Sequence, residues 1–364
     1  MSATNRRAFR AFLASATMLA GSVVLVAPAA AQNTTSTVRG RVMTSDGTAA
    51  TQVQVTATNI DTNQRLTSTT DAKGAYVVSG IVPGTYRFTA SANGETATQV
   101  VQVLLGQAAT LDLTLGTETA DAGAVADDTA NDIVVVGNNL FETRTSEVAT
   151  NITQEQIQRL PQTDRNFLSF AQLAPGVNYN DSETDKGIQS GASTASQVNV
   201  FIDGVSQKNQ VLDGGIAGQE NSRGNPFGQL GVQEFRVLTQ NYKAEYEQAG
   251  AAIITAITKS GTNQFHGEGF FSYTGKKLSE KDYFNKVRDL PKPDFKREQY
   301  GAALGGPIIK DKLFFFVSYE GNDQDRAQNV ILGNRTPENV ARFGQYEGSF
   351  VSPFREDLYF GKLT

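Results

Sequence analysis

The chain has no cysteine and a single histidine, His266, among its 364 residues. Without thiols there are no disulfide frameworks and no thiolate metal sites. With one histidine, the Ser-His, Cys-His and zinc arrangements all lack partners, so no catalytic residue, metal site, cofactor or enzymatic activity is expected. Positive charge is also in deficit, with 32 Lys and Arg against 37 Asp and Glu. Beyond residue 31 no apolar run is long enough for a spanning helix, so any membrane insertion of the exported chain must use strands.

The first 31 residues read as an export signal. Arg6, Arg7 and Arg10 form the basic start, Ala11 to Val26 the apolar run, and Ala29 to Ala31 the small-residue cleavage site before Gln32. The run is short and rich in Ala, Ser and Thr, which disfavours a permanent anchor. Arg6, Arg7 and Phe9 share a feature with twin-arginine signals, but a strand-inserting chain must cross unfolded, which favours the general secretory route. Removal of this segment takes away three of 32 basic residues and no acidic ones, leaving 29 minus 37, or −8. A chain this acidic is not expected to bind nucleic acid.

Residues 34–116 consist of short apolar-alternating runs every 8 to 12 residues, separated by Asp46-Gly47, Asp71 to Gly74 and Pro83-Gly84. This spacing predicts a small β-sandwich. Residues 117–131 are Ala-rich and acidic with little to bury, and read as a flexible linker. It ends at the β-prone run Asp132, Ile133, Val134, Val135, Val136, Gly137. A mixed α+β domain extends to residue 262. Thr153 and Gln156 form a capping box, Ile152 and Ile157 a hydrophobic staple, and Leu160-Pro161 stops the helix. A second helix is expected over Arg165 to Leu173, with Asp164 as its N-cap and Pro175-Gly176 as its stop. Val198 to Val205 reads as a hairpin turning at Asp203-Gly204, and further strands fit Gln233 to Leu238 and Ala252 to Thr258.

From Phe265 the residues alternate strictly. Phe265, Gly267, Gly269, Phe271 and Tyr273 fall on one face, and His266, Glu268, Phe270, Ser272 and Thr274 on the other. Tyr300, Ala302 and Leu304, then Leu313, Phe315, Val317 and Tyr319, repeat the pattern around a tight turn at Pro307 to Lys312. Long polar connections are expected over Lys276 to Arg297 and Asn322 to Phe354. Short turns on one side and long loops on the other characterise outer-membrane barrels. His266 then reads as a pore-facing or interfacial side chain. Gly275-Lys276-Lys277 lacks the glycine and hydroxyl positions of a phosphate loop. Asp181, Glu183 and Asp185 lack the rest of a calcium loop, which favours a solvated turn.

Two resemblances carry these readings further. Gly40 with Val42, Asp46-Gly47, the run Thr70, Asp71, Gly74, Tyr76, and Pro83, Gly84, Tyr86 resemble the carboxypeptidase regulatory-like family, whose fold is a transthyretin-like sandwich grouped with carbohydrate-binding-like folds. The chain as a whole resembles the TonB-dependent outer-membrane receptors, of the Oar-like kind that carries such a sandwich at its N-terminus. The matching residues are Asp132 to Gly137, Leu160-Pro161, Arg165-Asn166, Pro175-Gly176-Val177, Phe201 to Val205 with Asp203-Gly204, Glu234 to Val237, Tyr242, Ala244, Glu245-Tyr246 and the Thr258 to Gly267 passage.

The resemblance implies a signal peptide over 1–31, the sandwich over 34–116, the linker over 117–131, a TonB box and plug over 132–262, and the start of a transmembrane β-barrel over 263–364. It implies energy-coupled uptake of a siderophore, oligosaccharide or peptide across the outer membrane of a Gram-negative bacterium. The partners are then TonB, outer-membrane lipid and the polar ligand. Asp132 to Gly137 would add a strand to TonB, and the plug loops Asn178 to Ser196 and Gln207 to Asn225 would face the ligand, whose binding residues stay unassigned. The alternative is a surface carbohydrate-binding or adhesion module, which has no need of the Asp132 to Gly137 run. A barrel wide enough for a plug has about 22 strands of roughly 10 residues. Only 364 minus 264, or 100, residues follow Gln264, so an incomplete barrel of about four strands is expected.

Overall fold

The computed structural model describes residues 34–116, 145–162, 164–181, 186–211, 216, 219, 222–334 and 336–364. The export signal, the linker, Asp132 to Gly137, Glu183 and Asp185 lie outside the described residues. The described part is mainly β, in three consecutive domains.

The N-terminal domain contains β1 (Ser36–Met43), β2 (Gln54–Asn59), β3 (Arg65–Thr69), β4 (Ala75–Ile81), β5 (Gly84–Ala92), β6 (Glu95–Val103), β7 (Ala108–Thr110) and β8 (Leu113–Thr114). One sheet runs β4-β1-β7 with β8 also on β1, and the other runs β3-β2-β5-β6. Inward residues of both sheets, including Val38, Val42, Val55, Tyr86, Phe88 and Val101, form its core. The motif residues have local reasons. Thr70 Oγ1 donates to Ala50 O at 2.7 Å and accepts from Val53 N at 2.9 Å, closing one end of the sandwich. Gly40 is needed because a Cβ there would lie 1.6 Å from Leu111 O.

The middle domain contains β9 (Val148–Ile152), a helix over Gln154–Arg159, β10 (Val177–Asp181), β11 (Lys186–Ser190), β12 (Val198–Ile202), β13 (Val205–Ser206), β14 (Val232–Gln240) and β15 (Ala252–Thr258). Five strands form a mixed sheet in the order β13-β12-β15-β14-β9, with β12 parallel to β15. All seven residues of the central strand β15 are buried, as its unbroken Ala-Ile-Ile-Thr-Ala-Ile-Thr run requires. The capping box forms with both bonds present, and Ile152 and Ile157 are both buried. Asp203 (φ 48°) and Gly204 (φ 82°) both take positive φ, the requirement of a type I′ turn.

Two expectations in this domain are corrected. The second helix is a 3₁₀ helix over Phe167–Leu173, and Asn166, not Asp164, caps it by accepting from Leu168 N at 3.0 Å. Arg165 at φ 52° breaks any helix that begins at Asp164. The stretch Asn178 to Ser196, expected as a loop, contains the β10-β11 hairpin, which buries Tyr179 and Ile188. Its Asn, Gln and Ser content concealed a two-residue period.

The C-terminal domain is an antiparallel meander of β16 (His266–Gly275), β17 (Phe295–Ile309), β18 (Leu313–Val330) and β19 (Gly348–Leu363). Among the described residues, β16 and β19 pair on one side only, so this sheet is open. Only residues 310–312 separate β17 from β18, whereas 276–294 and 331–347 form the other two connections. The expected long loop over Asn322 to Phe354 is shorter, because β18 and β19 stay paired from Phe315↔Leu363 to Val330↔Gly348. Past Gly321 these strands carry polar residues on both faces, and no apolar period marks them.

Candidate functional site

The faces of the C-terminal sheet differ as the alternation predicts. Phe265, Phe271, Tyr273, Tyr300, Leu304, Val317 and Tyr359 are exposed on the outward face. Register places tyrosines in a row across three strands, with ring centroids 6.1 Å apart for Tyr300 and Tyr319 and 4.9 Å for Tyr319 and Tyr359. One step beyond the row the outward positions become charged, where Arg355 pairs with Asp323 at 3.2 Å and Lys296 with Glu298 at 3.0 Å. An apolar band edged by aromatics and then by charge is the pattern of a wall between lipid and water.

The inward face packs on the middle domain. Its apolar component is small, with Leu230, Ala303 and Phe316 at its centre and Phe270 and Phe360 beside them. Polar contacts make up the rest. Arg165 Nε lies 3.1 Å from Glu320 Oε2, and its guanidinium stacks 3.4 Å from the Phe270 ring centroid. Glu320 Oε1 accepts from Leu230 N, and Lys259 pairs with Glu268. Lys362 Nζ reaches Asp203 Oδ2 at 3.1 Å and Thr258 Oγ1 at 2.8 Å. Arg223 donates to Ser352 O at 3.1 Å, and Asn225 N donates to Glu356. Each of these charged side chains of the inward face meets a partner on the middle domain.

Behind Arg165 lies a buried polar network. Asn166 Nδ2 donates to Tyr179 Oη and Gln219 Oε1, both at 2.9 Å, and Tyr179 Oη donates to Asp164 Oδ2 at 3.2 Å. Lys186 Nζ donates to Arg223 O and Asn225 Oδ1 at 3.0 Å, and Asn225 Nδ2 to Asp164 O at 3.0 Å. Gln299 of β17 joins the network by donating to Asp164 O at 3.3 Å. Such a network fixes one arrangement because each broken bond strands a buried polar atom.

The structure thus brings Arg165, Asn166 and Asp203-Gly204 to the seam or the network behind it. Leu160 and Pro161 line a surface cavity of about 380 Å³ together with Asp164 and Tyr179. Pro175-Gly176 forms the turn into β10, with Gly176 at φ 77°. Tyr246 packs on Phe201 from the sheet's other face, where burial raises its hydroxyl to about 12, and Glu245 lies beside it in sequence with Lys243 4.0 Å away. His266 Nδ1 lies 3.2 Å from Gln264 O, and the side chain lines a cavity of about 260 Å³ with Asp61, Lys259 and Glu268. Sequence reasoning missed Glu320, Glu356, Lys362 and Gln299 as partners of the middle domain. Their signal was the recurrence of charged or amide side chains at the inward positions of β17, β18 and β19.

Comparison with known proteins agrees with this architecture. Residues 37–116 match the family described as a carboxypeptidase regulatory-like domain, and residues 257–360 match that described as an outer membrane beta barrel domain. The TonB-dependent transporter Oar of Myxococcus xanthus is 28% identical over 291 residues, 74% of this chain and 25% of that protein. This chain therefore spans a quarter of the length of that relative. Among solved structures, the outer membrane transporter YddB from Escherichia coli has a TM-score of 0.44 at 17% identity, covering 59% of this chain and 30% of that one. The siderophore receptor PirA from Acinetobacter baumannii has a TM-score of 0.36 at 18% identity, covering 50% and 29%. The chain is thus similar to the TonB-dependent transporter Oar and carries a carboxypeptidase regulatory-like domain and outer-membrane β-barrel sequence. Its place is the Gram-negative outer membrane.

Proposed function

We propose that this chain forms the periplasmic sandwich, plug and first wall strands of a TonB-dependent transporter that imports a polar ligand, with Asp132 to Gly137 as the strand that TonB engages. The middle domain is the plug in this reading. The observation that supports it most is the seam, where inward charges of the wall pair one by one with the plug while the outward face is apolar. Water can take over the hydrogen bonds of such polar contacts as they part, which it cannot do for a dry apolar core. A plug held this way can be drawn from the wall without exposing a dry core. The likeness to a transporter named for its TonB dependence supports the coupling. Siderophore, oligosaccharide and peptide all fit a plug face rich in Asn, Gln, Ser and Gly.

A β-strand added to TonB holds by main-chain bonds. Proline removes one donor and resists the ladder. Val135→Pro in the full-length receptor is therefore expected to weaken binding of the purified periplasmic domain of TonB by at least about tenfold. Energy-dependent uptake should be lost while ligand still binds at the surface. Unchanged affinity for TonB overturns the assignment of this run.

A further inference from the structure

The sandwich touches both the plug and the barrel, and each contact is built from specific groups. On the plug side the turn 104–107 is the contact. Leu105 is fully buried although it lies outside the sandwich core. Its N–H donates to Glu234, and its carbonyl accepts from Asn151 Nδ2 at 3.1 Å. The next carbonyl, of Gly106, accepts from Arg236, which is itself 2% exposed and 3.5 Å from Glu147. Gly106 is required by its φ of 64°, and a Cβ there would also press on Arg236, 2.8 Å from Nη1. Nearby, Gln233 Nε2 donates to Pro83 O at 3.3 Å.

On the barrel side, Asn63 of the sandwich donates to Asp311 Oδ1 at 2.8 Å, in the turn between β17 and β18. Asn263, at the entry to the barrel, donates to the same carboxylate oxygen at 2.7 Å, and its own N–H donates to Asp61 O at 2.9 Å. These amides, Asn63 first, hold the Asp311 carboxyl below its ordinary range.

The plug groups in the first contact are not scattered. Asn151 lies in β9 and Glu147 immediately precedes that strand, and among the described residues β9 is the edge strand of the plug sheet, paired to β14 alone. Among the described residues it is also the first strand of that sheet to follow Asp132 to Gly137, so tension on that run is passed on to β9. The 104–107 turn bonds to β9 through Asn151 and to β14 through Glu234 and Arg236, and so bridges the pairing that such tension would peel.

We infer that the sandwich is a strap, moored to the barrel turn 310–312 through Asn63 and pinning β9 to β14 through its 104–107 turn, which must let go before the plug can be drawn out from that edge. Its consequence for transport rests on the coupling reading above, but the strap itself does not. Hydrogen exchange on the full-length receptor in micelles, with no ligand or TonB present, separates the two. Gly106→Val places a β-branched side chain at positive φ against Arg236 and should undock the turn. The amides of β9 are then expected to exchange about tenfold faster, while those of β5 and β6 report an intact sandwich. The reciprocal variant places cysteines at Asn63 and Asp311, the sole thiols in the chain, joined by a short bifunctional reagent. Tethering raises the effective concentration of the turn at its site, so β9 should exchange about tenfold more slowly than in the unlinked protein. Exchange at β9 that is unmoved by undocking, or unmoved by the crosslink, overturns the strap. Exchange that responds as expected while Val135→Pro leaves TonB affinity unchanged overturns the coupling reading alone.

Discussion

Arg165 shows how one residue joins backbone strain to function. A non-glycine residue in the left-handed region costs about 1 to 2 kcal/mol, and Arg165 takes φ 52° there. That turn lets Asp164 and Asn166 face the buried network while the guanidinium between them reaches the wall at Glu320 and Phe270. Removing the guanidinium leaves a buried carboxylate that still accepts from Leu230 N–H of the middle domain. Arg165→Ala is therefore expected to destabilise the middle domain's seat on the C-terminal sheet by about 3 kcal/mol, with Glu320→Gln in the same chain restoring a large part. Exchange at the Leu230 amide measures this, and an unchanged rate in the single variant contradicts the role given to the pair. The Arg165-Asn166 dipeptide was legible in the sequence because it belongs to a run of motif residues. Glu320 was not, since it lies 155 residues away and only the folded chain brings it near.

At the scale of elements, legibility followed the strength of local signals. The capping box, the Asp203-Gly204 turn and the fully buried β15 each have a short-range cause and formed as read. The Phe167–Leu173 segment starts two residues later than read because Arg165 takes φ 52° and Asn166 caps it through its bond to Leu168 N. The far ends of β18 and β19 were unreadable because their pairing is fixed by partner strands rather than by an apolar period. The joint between β14 and the sandwich was equally hidden, and it has a testable pH dependence. Burial raises the Glu234 carboxyl from 4.5 to about 7, partly offset by the Leu105 N–H. Arg236 meets the same turn, with Glu147 3.5 Å from its guanidinium. The docked joint thus holds a proton that the undocked one releases above 4.5. Docking is firmest below that value and weakens as the pH rises through about 7. Protection of the Leu105 amide, corrected for intrinsic rates, should fall between about pH 5 and pH 8. Protection that rises over this window contradicts the buried, proton-holding carboxyl.

Across the whole molecule, three domains differ in what holds them. The sandwich and the middle domain each have an extensive apolar core, whereas the contact between the middle domain and the C-terminal sheet centres on three buried apolar residues with Phe270 and Phe360 beside them and is polar elsewhere. That contrast gives a hierarchy in which domains persist while the seam between two of them can open. It depends on the C-terminal sheet standing between lipid and a filled interior. Neighbouring positions on β18 test this directly, since Val317 is 46% exposed on the outward face and Ser318 is 8% exposed on the inward one. With no native thiol to interfere, a spin label on Val317→Cys or Ser318→Cys in the full-length receptor in outer-membrane vesicles reports collision with oxygen, which partitions into lipid, or with a water-soluble nickel chelate. The label at 317 is predicted to meet oxygen and avoid nickel, and the label at 318 to show no lipid signature. Nickel access at 317 equal to that of a surface loop would contradict the account.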